Sequence, residues 1–276
     1  MSFSISGKTA IVTGAAGGVG LAIARHFVAQ GANVVFSDED EAALEEAIGT
    51  AGDTDADAKG EGAHTRAFSA DLRSKLSIAN LLSSTIDAFD RVDILVNAAR
   101  EVVRSEALDP DQDMVMPMLE ANLMPALRLS QAVAKRMIGQ AEREGRTEGT
   151  IGTIVNLSSI SAQRTFKGMM GYSVASAALD QLTRSLAVAL APNRVRVNGL
   201  AFASVLSNAL GVAMREQEGL REAVIAATPA GRIANPTEIA EAVHFLASDA
   251  SDFVVGQVLV ADGGRSLLDT VRVVHS

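Results

Sequence analysis

A glycine-rich segment near the amino terminus has the residue types and spacing of a phosphate-binding turn. The segment TGAAGGVG (13–20) follows a short apolar run and precedes a run with helical spacing. Glycines let such a turn fold tightly and approach a pyrophosphate, while the next helix directs its first N–H groups at the phosphates. A second apolar run ends in an acid 18 residues after the last glycine, where a carboxylate can hydrogen-bond ribose hydroxyls. The sequence therefore predicts a dinucleotide site that involves Gly14, Gly18, Val19, Gly20 and Asp38.

Asp38 also indicates which dinucleotide is bound. A carboxylate at this position repels a 2′-phosphate, so NAD(H) is expected in preference to NADP(H), although Ser37 and nearby loops could modify that preference. Glycine triplets are common in tight turns, and a turn of an α/β fold without a ligand is the alternative. The strand–turn–helix context and the downstream acid favour the binding site.

The elements around this turn alternate between short apolar runs and longer amphipathic runs. Strands that are apolar on both faces and separated by helices form a parallel sheet covered on both sides. Because no change in composition divides the chain, we predict one α/β domain over residues 1–276, a Rossmann-type doubly wound sheet of seven parallel strands. The predicted strands are 9–14, 33–38, one within 63–72, 92–99, 152–159, 194–201 and 256–264. The predicted helices are 18–32, 39–49, 74–89, about 111–140, about 171–190 and 236–248.

Two segments interrupt this alternation, and a third is expected to form the substrate loop. The polar, glycine-rich segments 49–62 and 139–150 are expected to be solvated surface loops, with a role in partner binding as the alternative. Segment 204–225 is expected to be the substrate loop. Its Leu, Val and Ala content fits either an apolar pocket wall or the buried face of two short helices.

The composition argues against several classes of function. The net charge of −9 is unfavourable for binding nucleic acid or anionic membranes. No run of 18 or more apolar residues is present, and we expect no signal peptide because the first residues lack its ordered basic and apolar segments. The absence of cysteine excludes disulfides, thiol nucleophiles and thiolate metal sites, and it fits a cytoplasmic location. The four histidines are scattered, so no metal site is assigned.

Several motifs together resemble the short-chain dehydrogenase/reductase family, of the small single-domain, 3-oxoacyl-reductase-like type. The resemblance covers about residues 5–264 and begins with the spacing T-G-x-x-x-G-x-G. DILVNAAR (93–100) is similar to the family's strand end that carries N-N-A-G. GTIVNLSS ends in Ser159, and Tyr172 follows 13 residues later, which is the family's usual spacing. RVRVNGLA (194–201) and the following GRIANPTEIAEAVHFLASDA resemble the family's C-terminal pattern.

The resemblance implies hydride transfer between a nicotinamide and a small-molecule carbonyl or alcohol. Ser159 would hydrogen-bond the substrate oxygen. Tyr172, expected to be exposed at the start of a long helix, would give that oxygen a proton or take one from it. Asn122 would hold a water in the proton relay. The resemblance further implies cofactor contacts from Asp71 and Leu72 at the adenine, from Asn97, Ala98 and Arg100 at the fourth strand end, and from Tyr172, Val205 and Ser207.

Three departures from the family pattern cluster at the chemistry. The pattern Y-x-x-x-K is here YSVAS, so Ser176 stands at the catalytic position where the family has lysine. Arg100 replaces the glycine of N-N-A-G, and Phe202-Ala203 replaces Pro-Gly after the sixth strand. All three departures lie where the nicotinamide and the substrate are expected to meet.

The missing lysine is expected to affect the two directions of reaction unequally. In the family, this lysine holds the nicotinamide ribose and favours the phenolate form of the tyrosine. A tyrosine without such help has a pKa near ~10, so about one molecule in a thousand is phenolate at pH 7. Alcohol oxidation needs that base, whereas carbonyl reduction needs only a protonated donor. Loss of the charged hydrogen bond to the ribose costs roughly 1.5–3 kcal/mol.

Arg100 is the candidate for a replacement cation. Arginine does not act as an acid or base, but it could stabilise the phenolate of Tyr172 electrostatically. The alternative is that Arg100 extends into solvent or blocks the pocket. Arg164 and Lys167 precede the tyrosine and are expected to be solvated surface charges.

Three functions are therefore compared. The first is an NAD(H)-dependent oxidoreductase that interconverts a carbonyl and a secondary alcohol, slowly because the lysine is missing. The second is a catalytically impaired dinucleotide-binding member of the family with a regulatory or partner-subunit role. The third is a non-redox enzyme similar to the halohydrin dehalogenases, which is disfavoured because the glycine-rich turn and Asp38 are intact.

The helix that begins near Tyr172 also suggests an assembly. Its sequence, SVASAALDQLTRSLAVALA, is apolar over more than one face, which suits packing on the sheet and against a partner helix. The resemblance implies a homotetramer, a dimer of dimers, formed through this helix and the helix before it. The alternative is a monomer in which the helix is internal.

Overall fold

Seven strands form one parallel sheet in a computed structural model that describes residues 2–52 and 65–269. The strands are β1 Thr9–Thr13, β2 Asn33–Asp38, β3 Thr65–Ser69, β4 Ile94–Asn97, β5 Gly152–Ser159, β6 Val195–Phe202 and β7 Val258–Ala261. Their order in the sheet is β3-β2-β1-β4-β5-β6-β7, and the strand order reverses between β1 and β4. A crevice forms at the carboxyl ends of strands at such a reversal. The predicted α/β fold is confirmed, while most of the predicted loop 49–62 lies outside the described residues.

Helices cover both faces of this sheet. They are α1 Gly18–Ala29, α2 Glu41–Gly52, α3 Lys75–Phe89, α4 Val115–Asn122, α5 Met124–Arg143, α6 Met170–Leu190, α7 Asn208–Glu216, α8 Leu220–Ala226 and α9 Pro236–Ala247. One core cluster joins α1 and α9 to the sheet through Phe27 and Val243, and the other joins α3 and α5 through Leu81 and Leu129. Strands β1, β4, β5 and β6 are buried along their whole length because both of their faces are covered. In residues 2–52 and 65–269, no helix is both long and apolar enough to cross a bilayer.

A pair of histidines joins α1 to α9. His26 Nε2 lies 2.9 Å from His244 Nδ1, and His244 Nε2 lies 2.7 Å from the carbonyl oxygen of Phe3. Because a carbonyl oxygen only accepts, His244 donates from Nε2, and a neutral His244 then accepts at Nδ1 the hydrogen bond that His26 donates. Burial lowers the pKa of His26, the neighbouring His244 lowers it further, and Glu241 opposes the shift.

The prediction of one helix at about 111–140 is wrong. The segment forms two helices, since α4 ends at Asn122 and α5 begins at Met124. Pro125, which has no N–H, lies in the first turn of α5, where a helix needs no donor. The first of the two helices also begins later than predicted, at Val115.

The predicted surface loop 139–150 begins later than expected because α5 continues to Arg143. Gln140 explains the extension. Its Oε1 accepts a hydrogen bond of 3.0 Å from the N–H of Val92, and its Nε2 donates one of 3.0 Å to the carbonyl oxygen of Val92. A polar side chain in the last turns of α5 is therefore bound to the backbone just before β4.

Segment 204–225 contains two short helices, α7 and α8, as one of the two sequence-based alternatives anticipated. The Ser207 side chain accepts a hydrogen bond of 3.2 Å from the N–H of Leu210 and caps the start of α7. Val224 is buried, whereas Leu206 is exposed. The role of this segment as the substrate loop stays a prediction.

Candidate active site

The glycine-rich turn connects β1 to α1 with very close backbone packing. A Cβ atom added to Gly14, whose φ is +65°, would lie 2.8 Å from the backbone of Ala99. A Cβ atom added to Gly20 would lie 2.1 Å from the carbonyl oxygen of Gly14. Gly17 occupies the N-cap of α1 and has no side chain to occupy the first N–H groups of the helix. The amino terminus of α1 is therefore available to an anion.

A cavity of about 700 Å³ lies at the carboxyl edge of the sheet, beside this turn. It extends from the ends of β1 and β2 past β4 to the segment that follows β6, which is where the reversal of strand order predicts a ligand crevice. The predicted cofactor residues that line it are Gly14, Gly18, Val19, Gly20, Asp38, Asp71, Leu72, Ala98, Arg100, Val205 and Ser207.

The backbone fixes the Asp38 carboxylate at the end of β2. Its Oδ2 accepts a hydrogen bond of 3.1 Å from the N–H of Ala16, in the glycine-rich turn. Its Oδ1 accepts from the N–H groups of Glu39 at 2.8 Å and Asp40 at 3.3 Å. The carboxylate thus lies on the cavity wall in a defined position, with Glu39 beside it.

Arg73 joins three acids at the mouth of the cavity. Its Nε donates to Asp71 Oδ1 at 2.8 Å, and this hydrogen bond lowers the pKa of Asp71. Its other nitrogens lie 3.2 Å from Glu39 Oε2 and 3.5 Å from Glu101 Oε1. The three acids follow β2, β3 and β4. Sequence reasoning missed Arg73, since an arginine in an exposed turn has no distinctive pattern.

Thr13 fixes the carboxyl ends of β1 and β4 to each other. Its hydroxyl oxygen accepts from the N–H groups of Ala98 at 3.0 Å and Ala99 at 3.1 Å. The same hydroxyl donates to the carbonyl oxygen of Val96 at 3.4 Å. The residues before Arg100 are therefore held against the glycine-rich turn. Sequence reasoning assigned no role to Thr13, although it is the threonine of the T-G motif.

Asn97 does not line the cavity, although the next residue, Ala98, does. Its Nδ2 donates to Ser130 Oγ at 3.1 Å and to Asn156 Oδ1 at 2.8 Å. Asn156 in turn donates to Thr183 Oγ1, on α6, at 2.9 Å. This buried chain of hydrogen bonds connects β4, α5, β5 and α6. The side chain of Asn97 therefore helps to hold these elements together. Its predicted cofactor contact stays a prediction.

Tyr172 lies in the first turn of α6, and the expectation that it is exposed is wrong. Its relative exposure is 7%, and its hydroxyl oxygen accepts a hydrogen bond of 3.3 Å from Arg100 Nη1. The guanidinium carbon of Arg100 lies 4.4 Å from the centroid of the Phe202 ring. Two of the three departures from the family pattern thus contact each other, and one of them, Arg100, also contacts the tyrosine.

The third departure, Ser176, makes a hydrogen bond within its own helix. Its hydroxyl donates to the carbonyl oxygen of Tyr172 at 2.8 Å, one turn earlier, and its side chain is buried. Serine commonly makes this bond in helices. The hydroxyl supplies no charge and its single proton is used, so Ser176 cannot replace the function of a lysine at the phenol.

Ser159 and Asn122 both hold backbone segments near the tyrosine. Ser159 Oγ accepts from the N–H of Ser161 at 3.1 Å, which leaves its own O–H to donate elsewhere. Asn122 Oδ1 accepts from the N–H of Glu101 at 2.7 Å, and its Nδ2 donates to the carbonyl oxygen of Glu101 at 2.9 Å. Asn122 therefore fixes the residue after Arg100. The water-holding role of Asn122 stays a prediction.

Comparisons with known proteins agree with this architecture. A family model described as enoyl-(acyl carrier protein) reductase matches residues 14–266. Galactitol 2-dehydrogenase (L-tagatose-forming) of Cereibacter sphaeroides is 33% identical over 96% of this chain and 97% of its own length. The 3-oxoacyl-[acyl-carrier-protein] reductase of Vibrio cholerae is 31% identical over 96% of this chain and 100% of its own length.

A solved structure extends the similarity to three dimensions. The structure of 7α-hydroxysteroid dehydrogenase complexed with NADH and 7-oxo glycochenodeoxycholic acid is 30% identical and covers 95% of both chains, with a TM-score of 0.84. Because the family model and these relatives span nearly the whole chain, and the sheet has seven parallel strands as predicted, the protein belongs to the short-chain dehydrogenase/reductase family.

Proposed function

We propose that the protein is an NAD(H)-dependent oxidoreductase that interconverts a small-molecule carbonyl and a secondary alcohol. One observation carries the proposal. A single cavity has the glycine-rich turn and Asp38 at one end and, at the other, Arg100 in hydrogen-bond contact with Tyr172. A dinucleotide-binding end and a proton-transferring hydroxyl are the two parts that this reaction requires.

The residues at the first end fit a nicotinamide dinucleotide. Gly17 and Gly18 line the cavity, and a Cβ atom added to Gly17 would meet nothing within 4 Å, so the wall is without side chains where a diphosphate would lie at the amino terminus of α1. When bound, the nicotinamide supplies or accepts the hydride. The preference for NAD(H) rests on the carboxylates of Asp38 and Glu39, since both line the cavity where a 2′-phosphate would be repelled.

The protein's own residues move the proton. In the direction of reduction, the O–H bond of Tyr172 breaks and its proton passes to the carbonyl oxygen, which becomes the alcohol. Ser159, whose hydroxyl oxygen accepts from the N–H of Ser161, would donate its own O–H to the same oxygen. Ser176 adds no charge at the phenol, so a charge that assists alcohol oxidation at neutral pH would have to come from another residue.

One observation favours the second function, a dinucleotide-binding protein with little catalysis. Among the described residues, those that line the cavity include Arg100 but not Tyr172, Ser159 or Asn122. Arg100 thus lies between the cofactor cavity and the catalytic hydroxyl. A regulatory or partner-subunit role follows if this arrangement persists when the cofactor is bound.

Titration with NADH and NADPH tests the proposed function. We expect NADH to bind at least tenfold more tightly than NADPH, and Asp38→Ser to reduce that ratio because the repulsive carboxylate is removed. The paired variant Asp40→Ser, which alters an acid two residues later, serves as the control. The proposal is wrong if neither dinucleotide binds. If NADH binds and a panel of ketones and β-ketoesters is not reduced, the second function is favoured.

The assembly and location belong to the same proposal. We propose a cytoplasmic homotetramer, a dimer of dimers, in which α6 packs against a partner helix. Val174 and Val188, on α6, are 41% and 77% exposed, which supports an apolar contact on the outer side of this helix. Sedimentation velocity measures the assembly, and a monomer at micromolar concentration would contradict the proposal.

A further inference from the structure

We infer that Arg100, at the end of β4, supplies to Tyr172 the positive charge that position 176 of α6 lacks, and that Phe202 holds it in place. The inference concerns a residue of the site described above and rests on the proposed function for its catalytic meaning. It does not depend on that function for its test, because the charge acts on the phenol whether or not a cofactor is bound.

The need for a cation arises from the proton transfer itself. When the O–H bond of Tyr172 breaks and the proton moves to the substrate oxygen, a phenolate remains. In the reverse direction, the phenolate takes a proton from the alcohol. A guanidinium that donates an N–H bond to the phenol oxygen stabilises the charged form in both directions. Arg100 Nη1 is 3.3 Å from that oxygen, which is within hydrogen-bond distance.

The other contacts of Arg100 do not prevent its guanidinium from binding the phenol oxygen. A guanidinium has five N–H donors, and Arg100 lines the cavity as well as contacting Tyr172. In the described part of the chain, no carboxylate lies within ion-pair distance of Arg100. Its charge is therefore not neutralised by an acid, and its other donors can face a ribose or substrate oxygen in the cavity.

Phe202 explains why the guanidinium stays beside the phenol. The ring centroid lies 4.4 Å from the guanidinium carbon, a distance at which an aromatic face attracts a cation. Phe202 is buried at the end of β6, so the ring itself is fixed by the sheet. An aliphatic side chain of similar size would fill the space without attracting the charge.

The backbone that carries Arg100 is fixed on both sides. Thr13 accepts hydrogen bonds from the N–H groups of Ala98 and Ala99, and Asn122 binds both the N–H and the carbonyl oxygen of Glu101. The two preceding residues and the following residue therefore have fixed positions. The long side chain of Arg100 starts from a rigid base, which limits the places that its guanidinium can reach.

The other charged groups around Tyr172 do not bind its hydroxyl. They are found on α6 and on the segments next to its start: Asp113, Glu120, Arg164, Lys167, Asp180 and Arg184. Among the described residues, Arg100 is the one whose side chain is hydrogen-bonded to the phenol oxygen. The small Ser176 leaves this side of the helix without a second cation. The three departures from the family pattern thus form one arrangement.

The chain offers a direct measurement, because Tyr172 is its only tyrosine and it has no tryptophan. The near-ultraviolet absorbance of phenolate in the protein without cofactor therefore reports this residue alone. We expect Arg100→Gln to raise the pH midpoint of that absorbance relative to the parent, because the guanidinium 3.3 Å from the phenol oxygen is removed. Arg100→Lys, which keeps the charge, should raise it by less. Arg104→Gln, which removes an exposed arginine nearby, is the matched control and should leave it unchanged.

Phe202→Leu tests the second part of the inference with Arg100 present. We expect a rise in the midpoint smaller than that of Arg100→Gln, because the guanidinium loses its aromatic contact but keeps its charge. Circular dichroism at neutral pH establishes that each variant is folded. If Arg100→Gln does not fold, Arg100→Lys and Phe202→Leu provide the comparison. The inference is overturned if folded Arg100→Gln, or in its absence both other variants, titrates with the parent.

The outcomes separate this inference from the proposed function. A shifted midpoint in a protein that binds no NADH would support the role of Arg100 and contradict the oxidoreductase. NADH binding with an unshifted midpoint would overturn the role of Arg100 and leave the oxidoreductase intact. Where ketone reduction is measurable, Arg100→Gln should lower kcat at least tenfold with a smaller change in the KM for ketone, and Arg100→Lys should restore part of kcat.

Discussion

Ser176→Lys, which restores the family's lysine, is expected to lower the free energy of unfolding as long as Arg100 is present. Position 176 lies one helical turn after Tyr172 on the same face, so the ammonium group of Ser176→Lys would extend toward the phenol. The guanidinium of Arg100 is already there. The serine side chain is 6% exposed, so the new ammonium has little access to water. Two cations would then share one acceptor.

The size of the effect follows from the distance between the two charges. For two cations about 5 Å apart, the repulsion is about 1 kcal/mol in a water-like dielectric and about 3 kcal/mol at an effective dielectric constant of about 20. Displacing Arg100 from Phe202 instead would sacrifice a cation–π contact worth roughly 0.5–2 kcal/mol. We therefore expect positions 100 and 176 to be coupled by about 1–3 kcal/mol.

A double-mutant cycle measures this coupling. Urea unfolding of the parent, Ser176→Lys, Arg100→Ala and the double variant gives four free energies of unfolding. The single lysine variant should be less stable than the parent, and the double variant should be more stable than the sum of the single effects predicts. Additivity of the two substitutions within about 0.5 kcal/mol would refute the reasoning, because it would mean that the two side chains do not share the space at the phenol.

Two further predictions concern α1. Gly20→Ala should lower the free energy of unfolding by about 1–3 kcal/mol and abolish NADH binding, because its Cβ would lie 2.1 Å from the carbonyl oxygen of Gly14. The matched control for stability is Gly17→Ala, whose Cβ would meet nothing within 4 Å, and an equal loss of unfolding free energy in both variants would contradict the steric reason. The lowered pKa of His26 means that the unfolded chain binds a proton more readily. Its contribution to stability should therefore be complete above its ordinary pKa of 6.5 and decrease as the pH falls below that value. His26→Gln should flatten this dependence in urea unfolding series, and an equally steep dependence would show that another group is responsible.

The strands were predictable because a parallel strand has a local signature. Strands β2 and β5 match the predicted limits residue for residue, since each is a short apolar run bounded by turn residues. The break between α4 and α5 was not predictable in the same way. Leu123 is apolar and fits the helical spacing, and Pro125 is compatible either with a helix start or with a kink. At this break, Asn122 makes two hydrogen bonds to Glu101, in a segment distant in sequence. The local sequence therefore does not show them.

The two ends of the candidate site also differed in how far they could be predicted from the sequence. The geometry of the glycine-rich end was predictable because the close backbone approach at Gly14 and Gly20 is encoded locally by glycine. The contact of Arg100 with Tyr172 and Phe202 depends on three strand and helix ends that meet only in the fold. The motif comparison identified these positions as unusual. Only the structure shows that Arg100 contacts the tyrosine and the aromatic ring together.

The arginine at the mouth of the cavity has a consequence for the kinetics of cofactor exchange. Arg73 joins acids that follow three different strands, and its own side chain is 51% exposed. Ion pairs with this much solvent access are individually weak and are screened by salt. If the adenine binds beside Asp71 and Leu72, as the family resemblance implies, it lies directly against this cluster, because Asp71 belongs to it. The rates of association and release are therefore expected to rise together with ionic strength, so that exchange responds to salt more strongly than affinity does.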